Sequence, residues 1–434
     1  MAYQYDPSFQ VNDRLAEELL SLTEDAVCAE APAGAVERPR LPLSNADAIV
    51  AHIEINSRHG VGVLLERLFG RRSNILSVRS RDHFGGRQEF GDLALRISHE
   101  DDSLDAARRR VREALGGNTV ARILAVPYYP ADVLNALAIH ELSGAPLAVY
   151  LMDDQNVAST GIPDSLMRRL LEAASLRLAV SPELAAAYEA KYGLKFRLMP
   201  PVVPARLILD RLLPTGEVLA EPRRGVILGN IWGQRWLDAL RGTVRGSGVR
   251  LVWRSTNHLR YLRGSPEELA ADGIEIPDGP PLSDPELVET LRRTAFAVIP
   301  TGTLDEDDDR RSIALLSLPS RIPFLIATAH APILVLGDER TAAARFVRDL
   351  GVGMAAPYDR DRFVEAVAAI TEPETNLSFR RRALAWAARF TDVGADEWIW
   401  QSLERGDAFD LRYEDFMRGT RPEAAGLAQG RQTP

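Results

Sequence analysis

The chain has 434 residues, of which 46% are hydrophobic and 26% charged, with a formal net charge of -9. This is ordinary globular composition for two or three domains, without the basic excess of a nucleic-acid-binding protein. The single cysteine, Cys28, excludes an internal disulfide and a cysteine-based metal site, and no apolar run reaches the roughly 18 residues that span a bilayer.

The ends of the chain are predicted to lie outside the folded core. Residues 1–44 form an N-terminal extension with one amphipathic helix at residues 13–22, and residues 419–434 a polar, disordered tail. The first residues lack a basic segment followed by an apolar core, so the sequence predicts a cytoplasmic protein without a secretory signal. No strongly basic amphipathic helix indicates membrane binding, although peripheral membrane contact stays open.

A first α/β unit is predicted for residues 45–204. Its strand-like runs lie at residues 48–55, 75–78, 93–97, 123–126, 147–152, 176–180 and 196–199. Helical patterns lie at residues 63–69, 104–115, 131–142, 165–174 and 182–192. Strands that alternate with helices favour a parallel sheet covered by helices on both faces.

The alternation stops at the proline-rich residues 200–204 and resumes after a linker at residues 205–224. The second unit, residues 225–390, has predicted strands at 225–228, 249–253, 274–276, 296–299 and 333–336. Its predicted helices lie at 235–245, 285–294, 318–327, 342–350 and 360–370, and helices at 378–390 and 396–405 follow. Two such units in tandem create a cleft at the carboxyl ends of their strands, where open α/β folds bind ligands.

The segment from Ser317 to Val335 is the most informative part of the second unit. It predicts a loop, a helix that starts near Ser320 and Arg321, and a buried strand. A helix N-terminus offers unpaired N–H groups, and an arginine adds a fork of donors that matches phosphate oxygens. The alternative is a plain N-cap beside a solvated arginine.

The whole pattern resembles the GT-B glycosyltransferases, in particular the large retaining family 4 and its relatives, over roughly residues 45–405. The segments similar to that family are the glycine loop 59–62, the runs 149–154 and 174–181, the start of the interdomain linker at 200–203, the opening of the second unit at 227–232, and the donor-binding segment 317–336 followed by 351–353.

The resemblance implies two Rossmann-like doubly wound domains that face a central cleft, with C-terminal helices (residues 391–418) crossing back to the first domain. It implies a metal-independent, hexosyltransferase-like enzyme that moves a sugar from a nucleotide-diphosphate sugar to a hydroxyl acceptor. The acceptor would be a saccharide, a lipid-linked saccharide or a protein, in cell-surface polysaccharide or glycoconjugate biosynthesis. No cofactor besides the donor and no nucleic-acid partner are expected.

One departure from the family keeps other functions open. The helix that begins near Arg321 normally carries a glutamate that contacts the ribose or the sugar, and the matching position here is Phe324. The segment that follows, up to Pro332, is also one residue longer than usual. The alternatives are a non-catalytic relative that binds a nucleotide sugar or a partner protein, and a sugar-nucleotide epimerase.

Three residues are candidates for catalysis. An inverting transferase needs a base for the acceptor hydroxyl, and Asp153, Asp154 and His59 are the candidates. A retaining enzyme can rely on the leaving phosphate instead. One aspartate could simply cap the next segment, and His59 could be structural.

Seven residues are candidates for binding the donor: Gly60, Gly62, Gly229, Asn230, Arg254, Ser320 and Arg321. The cations and backbone N–H groups would stabilise a diphosphate leaving group, and the glycines would let the backbone approach it. Gly60 and Gly62 could equally form a tight turn, and Arg254 could be a surface arginine. The acidic run at residues 305–309 is predicted to be a solvated loop rather than a metal site, because Arg310 and Arg311 adjoin it.

Overall fold

The computed structural model describes residues 42–57, 59–99, 103–255, 259, 262–280, 282–308 and 310–418. The predicted helix at 13–22, Cys28 and the predicted tail lie outside these residues. The described part contains two parallel sheets, with helices between successive strands. None of its helices is both long and apolar enough to cross a bilayer.

The first sheet has seven parallel strands in the order β3-β2-β1-β4-β5-β6-β7. The strands are β1 Ala46–Ala51, β2 Ile75–Arg79, β3 Leu93–Arg96, β4 Val120–Ala125, β5 Leu147–Leu151, β6 Leu176–Ala179 and β7 Arg197–Leu198. The helices are α1 Gly60–Phe69, α2 Leu104–Leu115, α3 Pro130–Ser143, α4 Asp164–Ala173 and α5 Pro182–Tyr192. The strand order reverses between β1 and β4, which is the usual ligand position of such a sheet.

The second sheet has six parallel strands in the order β10-β9-β8-β11-β12-β13 and reverses between β8 and β11. The strands are β8 Arg224–Leu228, β9 Arg250–Arg254, β10 Ile274–Glu275, β11 Ala297–Pro300, β12 Ile333–Leu336 and β13 Gly353–Ala356. The helices are α6 Thr215–Val218, α7 Gln234–Val244, α8 Pro266–Ala271, α9 Asp284–Arg292, α10 Arg311–Leu316, α11 Arg321–Phe324, α12 Ala342–Leu350 and α13 Arg360–Ile370.

Helix α14 Pro373–Ala387 packs on the second unit. The last two helices, α15 Ala395–Arg405 and α16 Glu414–Met417, return to the first unit, as predicted. Trp400 of α15 is fully buried, with its ring 5.3 Å from that of Phe69 in α1. The Arg72 guanidinium, just beyond α1, donates to the carboxylate of Asp396 at 2.6 Å. These contacts tie the end of the chain to the first unit.

The two chain crossings between the units run side by side. Val203 forms a parallel bridge with Thr391, its N–H donates to the carbonyl of Phe390 at 2.7 Å, and its own carbonyl accepts from the N–H of Asp392 at 2.9 Å. The outgoing and returning segments are therefore hydrogen-bonded to each other, which restricts how far the units can separate.

The predicted helix at 318–327 differs from the observed one. Helix α11 begins at Arg321 and continues without a break as a π-helix, Leu325–Ala329, which ends at His330 with a φ of 52°. A π-helical turn is the usual way for a helix to absorb one inserted residue. It therefore accounts physically for the extra residue noted in the sequence before Pro332.

His330 should make the protein less stable in acid. The side chain is buried, and burial, with Arg380 and Arg292 adding to it, lowers its pKa to about 4. Below about pH 6.5, the ordinary pKa of histidine, this side chain takes up a proton in the unfolded chain but not in the folded chain. This difference should remove about 3 kcal/mol of the free energy of unfolding between pH 7 and pH 4.

The comparison of wild type with His330→Asn isolates this effect, because asparagine does not titrate and tolerates positive φ. Urea unfolding at pH 7 and pH 4 should show the wild type losing about 3 kcal/mol more than the variant. Equal losses would mean that His330 does not control acid stability.

Candidate functional site

The carboxyl ends of the two sheets lie against each other. The hydroxyl of Ser181, just after β6, donates to the carbonyl of Leu316 in the second unit. A Cβ placed on Gly60 would lie 4.0 Å from the Oγ of Ser320. The first turn of α1 and the turn before α11 therefore meet across the cleft that the sequence predicts.

Arg321 lies at the carboxyl end of β8. Its Nη1 donates to the carbonyl of Leu228 at 2.9 Å and to that of Asn230, while its Nε is buried without a partner. Burial lowers the pKa of the guanidinium to about 10. Among the described residues, no carboxylate oxygen lies within 4.0 Å of it. A cation that has lost its water and has no acidic partner is costly unless an anion binds.

Arg254 repeats this situation on the neighbouring strand. It is the last residue of β9, directly opposite Leu228 in the parallel pairing. Its Nε is also buried without a hydrogen-bond partner, and the described part of the chain offers it no carboxylate within 4.0 Å. Both arginines thus belong to the carboxyl end of the second sheet, Arg254 as the last residue of β9 and Arg321 through its hydrogen bond to the carbonyl of Leu228 in β8.

Gly229 and Asn230 form the loop above Arg321. Gly229 has a φ of 80°, and a Cβ added there would lie only 3.1 Å from Nη1 of Arg321. Glycine is therefore required both by the left-handed backbone and by the close approach of the arginine. The indole N–H of Trp253 donates to the Gly229 carbonyl at 2.8 Å, and the Ser255 hydroxyl donates to the Asn230 side chain. The loop is rigidly held.

A cavity of about 670 Å³ lies in the second unit, and neither Arg254 nor Arg321 lines it. Its lining includes one arginine, Arg235, and three carboxylates, together with Thr303 and Tyr358. Tyr358 is close enough to Arg321 to raise the pKa of the guanidinium, and Arg321 in turn lowers the pKa of Tyr358. The Tyr358 hydroxyl donates to the Thr301 carbonyl at 2.7 Å. Arg235 is held by the Asp305 carboxylate, with its Nη2 at 2.5 Å. The sequence did not single out Arg235 or Tyr358.

Ser320 does not act as an N-cap. It has helical backbone angles, its hydroxyl makes no capping hydrogen bond, and it is exposed. The plain N-cap alternative therefore does not describe this turn. The exposed hydroxyl faces Gly60 across the cleft.

The two glycines of the first unit have different surroundings. A Cβ on Gly62 would lie 2.5 Å from the carbonyl oxygen of Asn56, so glycine there is required by packing alone. Gly60 is exposed, and nothing lies closer to its Cβ position than Ser320 at 4.0 Å. Of the two, only Gly60 faces the cleft.

His59 caps α1, and the structure argues against a role as base. Its Nδ1 accepts from the Gly62 N–H at 3.3 Å, and its Nε2 lies 2.6 Å from the Glu54 carbonyl. The neutral ring with the proton on Nε2 satisfies both contacts, so neither nitrogen is left to take a proton from an acceptor. Burial lowers its pKa, which is consistent with a neutral, structural histidine.

Asp154 is likewise a structural carboxylate. Its two oxygens accept from the backbone N–H groups of residues 156–159 at distances of 2.7 to 3.1 Å, and the Tyr188 hydroxyl donates to it at 3.2 Å. Five donors shape the loop after β5. These hydrogen bonds argue against Asp154 as a catalytic base, because its acceptor capacity is already used.

Asp153 differs from its neighbour. It is partly buried, and Oδ2 accepts from the Tyr128 hydroxyl at 2.5 Å. Burial raises the pKa of Asp153, while the hydrogen bond from Tyr128 lowers it. Ser317 of the second unit also lowers the pKa of Asp153. A carboxyl with a raised pKa beside both units is suited to proton transfer, and the sequence did not identify Tyr128 as its partner.

The acidic run is largely the predicted solvated loop, since residues 305–307 are exposed, but Asp308 is an exception. Asp308 is 9% exposed, and its carboxylate accepts from the Trp236 indole N–H at 2.8 Å and from the Leu304 N–H at 2.9 Å. Asp305 pairs with Arg235 at the cavity. Within the described residues, no three His, Cys, Asp or Glu side chains are grouped as a metal would require.

The position of the family glutamate is a contact between the units. Phe324 is 6% exposed and belongs to the larger hydrophobic core. The Arg67 guanidinium of α1 lies 5.5 Å from the centre of its ring and donates to the Val202 carbonyl at 3.4 Å. Hydrophobic packing has therefore replaced a carboxylate there.

Comparison with known proteins supports the architecture. No family model matches the chain, and neither does any curated protein. A glycosyltransferase from Rickettsia africae superposes with a TM-score of 0.57 at 10% identity, covering 83% of this chain and 98% of that one. HepE of Anabaena, solved with UDP, gives 0.55 at 13% identity, covering 83% and 100%.

WaaG, a glycosyltransferase involved in lipopolysaccharide biosynthesis, superposes with a TM-score of 0.53 at 12% identity, covering 82% of this chain and 99% of that one. At such identities the likeness establishes the fold. The chain therefore has the GT-B fold of these glycosyltransferases, with two Rossmann-like units facing a cleft.

Proposed function

We propose that the protein is a glycosyltransferase that moves a sugar from a nucleotide-diphosphate donor to a hydroxyl acceptor. The donor diphosphate would bind at the carboxyl end of the second sheet, and the acceptor at that of the first. The observation that carries the proposal is that Arg254 and Arg321 both have a buried Nε without a hydrogen-bond partner among the described residues. HepE was solved with UDP, which makes UDP the first nucleotide to test.

The arginines suit the electrostatics of sugar transfer. Negative charge builds on the leaving diphosphate as the glycosidic bond to the donor breaks, and fixed cations stabilise that charge best where water is excluded. Arg321 is already held in place by the carbonyls of Leu228 and Asn230, so binding a phosphate requires little reorganisation.

Asp153 is the proposed base. It would take the proton of the acceptor hydroxyl while that oxygen attacks the anomeric carbon, which implies inversion. The Tyr128 hydroxyl orients the carboxylate through a 2.5 Å hydrogen bond. Asp154 and His59 have structural roles in this scheme.

The buried Phe324 favours one alternative, a non-catalytic protein that binds a nucleotide sugar. A glutamate at this position contacts the donor in the family that the sequence resembles, whereas Phe324 packs against Arg67. Such a protein would bind the donor through Arg254 and Arg321 without transferring its sugar.

A thermal-shift screen with UDP, GDP, ADP and dTDP and their sugars tests the proposal. A ligand at 100 times its Kd stabilises the native state by about 2.7 kcal/mol, so the correct nucleotide should raise the Tm. Transfer to a saccharide panel, followed by mass spectrometry, separates the outcomes. A heavier acceptor supports transfer, a donor isomer of unchanged mass indicates an epimerase, and binding without any product indicates the non-catalytic alternative.

A further inference from the structure

A group of one arginine and two histidines lies at the carboxyl end of the first sheet. Strands β1 and β2 end side by side, with Ala51 paired to Arg79. The next residues are joined by hydrogen bonds, because the His52 carbonyl accepts from the Ser80 hydroxyl at 3.1 Å and from the Arg81 N–H at 3.3 Å. We define the His52–Arg81 cluster as His52, Arg81 and His83 with the rings of Tyr128 and Tyr129.

Arg81 carries a charge that the nearby acid does not neutralise. The closest acid in sequence, Asp82, is already bound by Arg79 at 2.7 Å and by Arg96 at 3.0 Å. The Arg81 side chain is exposed, stacks 3.6 Å over the ring of Tyr129, and has no carboxylate within 4.0 Å among the described residues. Stacking orients the guanidinium and leaves the N–H groups in its plane for a ligand.

His52 adds an unsatisfied polar atom to the same place. Its ring lies 4.3 Å from that of Tyr128, and its Nδ1 is buried without a partner. Burial lowers the pKa of His52 well below its usual value, and His59, Arg81 and His83 lower it further. His52 is therefore a neutral ring, and its unpartnered Nδ1 is available to hydrogen-bond a ligand beside Arg81.

The acidic groups nearby accept mainly from backbone N–H groups, and the Arg81 charge partly offsets the burial that raises the pKa of Asp132. Asp132 is 1% exposed, and its Oδ2 accepts from the backbone N–H groups of Tyr128 and Tyr129 at 2.9 and 2.8 Å. The carboxylate of Glu54 accepts from three backbone N–H groups of residues 83–86. Neither carboxylate forms an ion pair with Arg81.

We propose that the His52–Arg81 cluster binds a phosphate group of the acceptor, so that the acceptor is a phosphorylated saccharide or a phosphate-linked lipid saccharide. The identity of this ligand as an acceptor rests on the proposed function. Consecutive tyrosines connect the two sites, since Tyr128 donates to the proposed base Asp153 and Tyr129 supports Arg81. A phosphate at Arg81 would therefore hold the adjoining sugar near Asp153. An arginine fork with an adjoining histidine nitrogen suits a phosphate better than a neutral sugar.

Binding of α-glucose 1-phosphate to the full chain, measured by calorimetry against glucose and glucuronate, tests this inference. Arg81→Gln should weaken the binding of glucose 1-phosphate by at least about tenfold. Arg96→Gln is the matched control, because Arg96 is an exposed arginine paired with Asp82, and it should bind like the wild type. Phosphatidylcholine vesicles with and without phosphatidic acid form a second arm that identifies a lipid-borne phosphate.

The outcomes separate this inference from the proposed function. If Arg81→Gln no longer binds one of the two phosphate probes while Arg321→Gln still binds it, the inference is supported, even when no nucleotide binds. Loss only in Arg321→Gln overturns it and assigns the phosphate to the donor site. Binding of neither probe, or equal binding of glucuronate and glucose 1-phosphate, also overturns it.

Discussion

Arg321→Gln should lower the affinity for the nucleoside diphosphate by at least about 100-fold. The guanidinium is desolvated, has no carboxylate within 4.0 Å among the described residues, and donates to the Leu228 carbonyl at the end of β8. Glutamine can still donate to one backbone carbonyl of the loop but brings no charge to the phosphate. Titration calorimetry with the nucleotide identified by the thermal-shift screen measures the change directly.

Arg380→Gln provides the matched control for this variant. Arg380 is also buried, donates to the backbone carbonyls of Arg292 and Thr294, and has its pKa lowered to about 10 by burial. These carbonyls precede β11, so Arg380 lies near the amino end of the sheet, away from the cleft. Both variants should lose about 1–3 kcal/mol of unfolding free energy, but only Arg321→Gln should lose nucleotide affinity. Equal affinities in the two variants would remove Arg321 from the donor site.

The fold was accessible from the sequence because its signals are local. Apolar runs of four to eight residues, separated by helical patterns, predicted the strands from β1 to β12, and Ser181, Pro182 and Gly193 delimit α5 as helix-capping rules require. Strand β13 was not predicted, because Gly353 and two alanines leave little β-branched content. A Cβ on Gly353 would lie 1.9 Å from the Ile333 carbonyl, so close strand packing requires glycine there.

The site was less accessible, because hydrogen bonds between distant segments decide which candidates are free. Asp153 and Asp154 are adjacent and chemically identical in the sequence. Only the fold shows that backbone N–H groups occupy the carboxylate of Asp154. His59 is engaged by the carbonyl of Glu54, five residues earlier. Arg235 could have been singled out by its position at the start of α7, shortly after the loop of Gly229 and Asn230.

The contact between Phe324 and Arg67 restricts how the two units can move relative to each other. Phe324 lies three residues after Arg321 on one helical segment, and Arg67 lies on α1, whose first residue is Gly60. The contact between their side chains therefore joins the two elements that border the cleft. Together with the paired crossings at Val203 and Thr391, it favours a closed arrangement in which donor and acceptor sites stay aligned.

Asp153→Asn should lower kcat by about 100- to 10,000-fold while leaving the nucleotide Kd unchanged, because a general base acts on the acceptor and not on the diphosphate. Stopped assays of sugar transfer and calorimetry on the same preparation measure the two quantities. An unchanged kcat would exclude Asp153 as the base and would favour retaining transfer, in which the leaving phosphate takes the proton.

Tyr128→Phe gives an independent test, because it should shift the pH profile of the enzyme, and a merely structural role of Asp153 would not cause such a shift. The Tyr128 hydroxyl lowers the pKa of Asp153 through its hydrogen bond, against the larger effect of burial. Its removal should raise that pKa further, so the base stays protonated to a higher pH. The acidic limb of kcat/KM against pH should therefore move to higher pH in Tyr128→Phe, with activity recovered on the alkaline side. A limb that stays in place would show that another group titrates there.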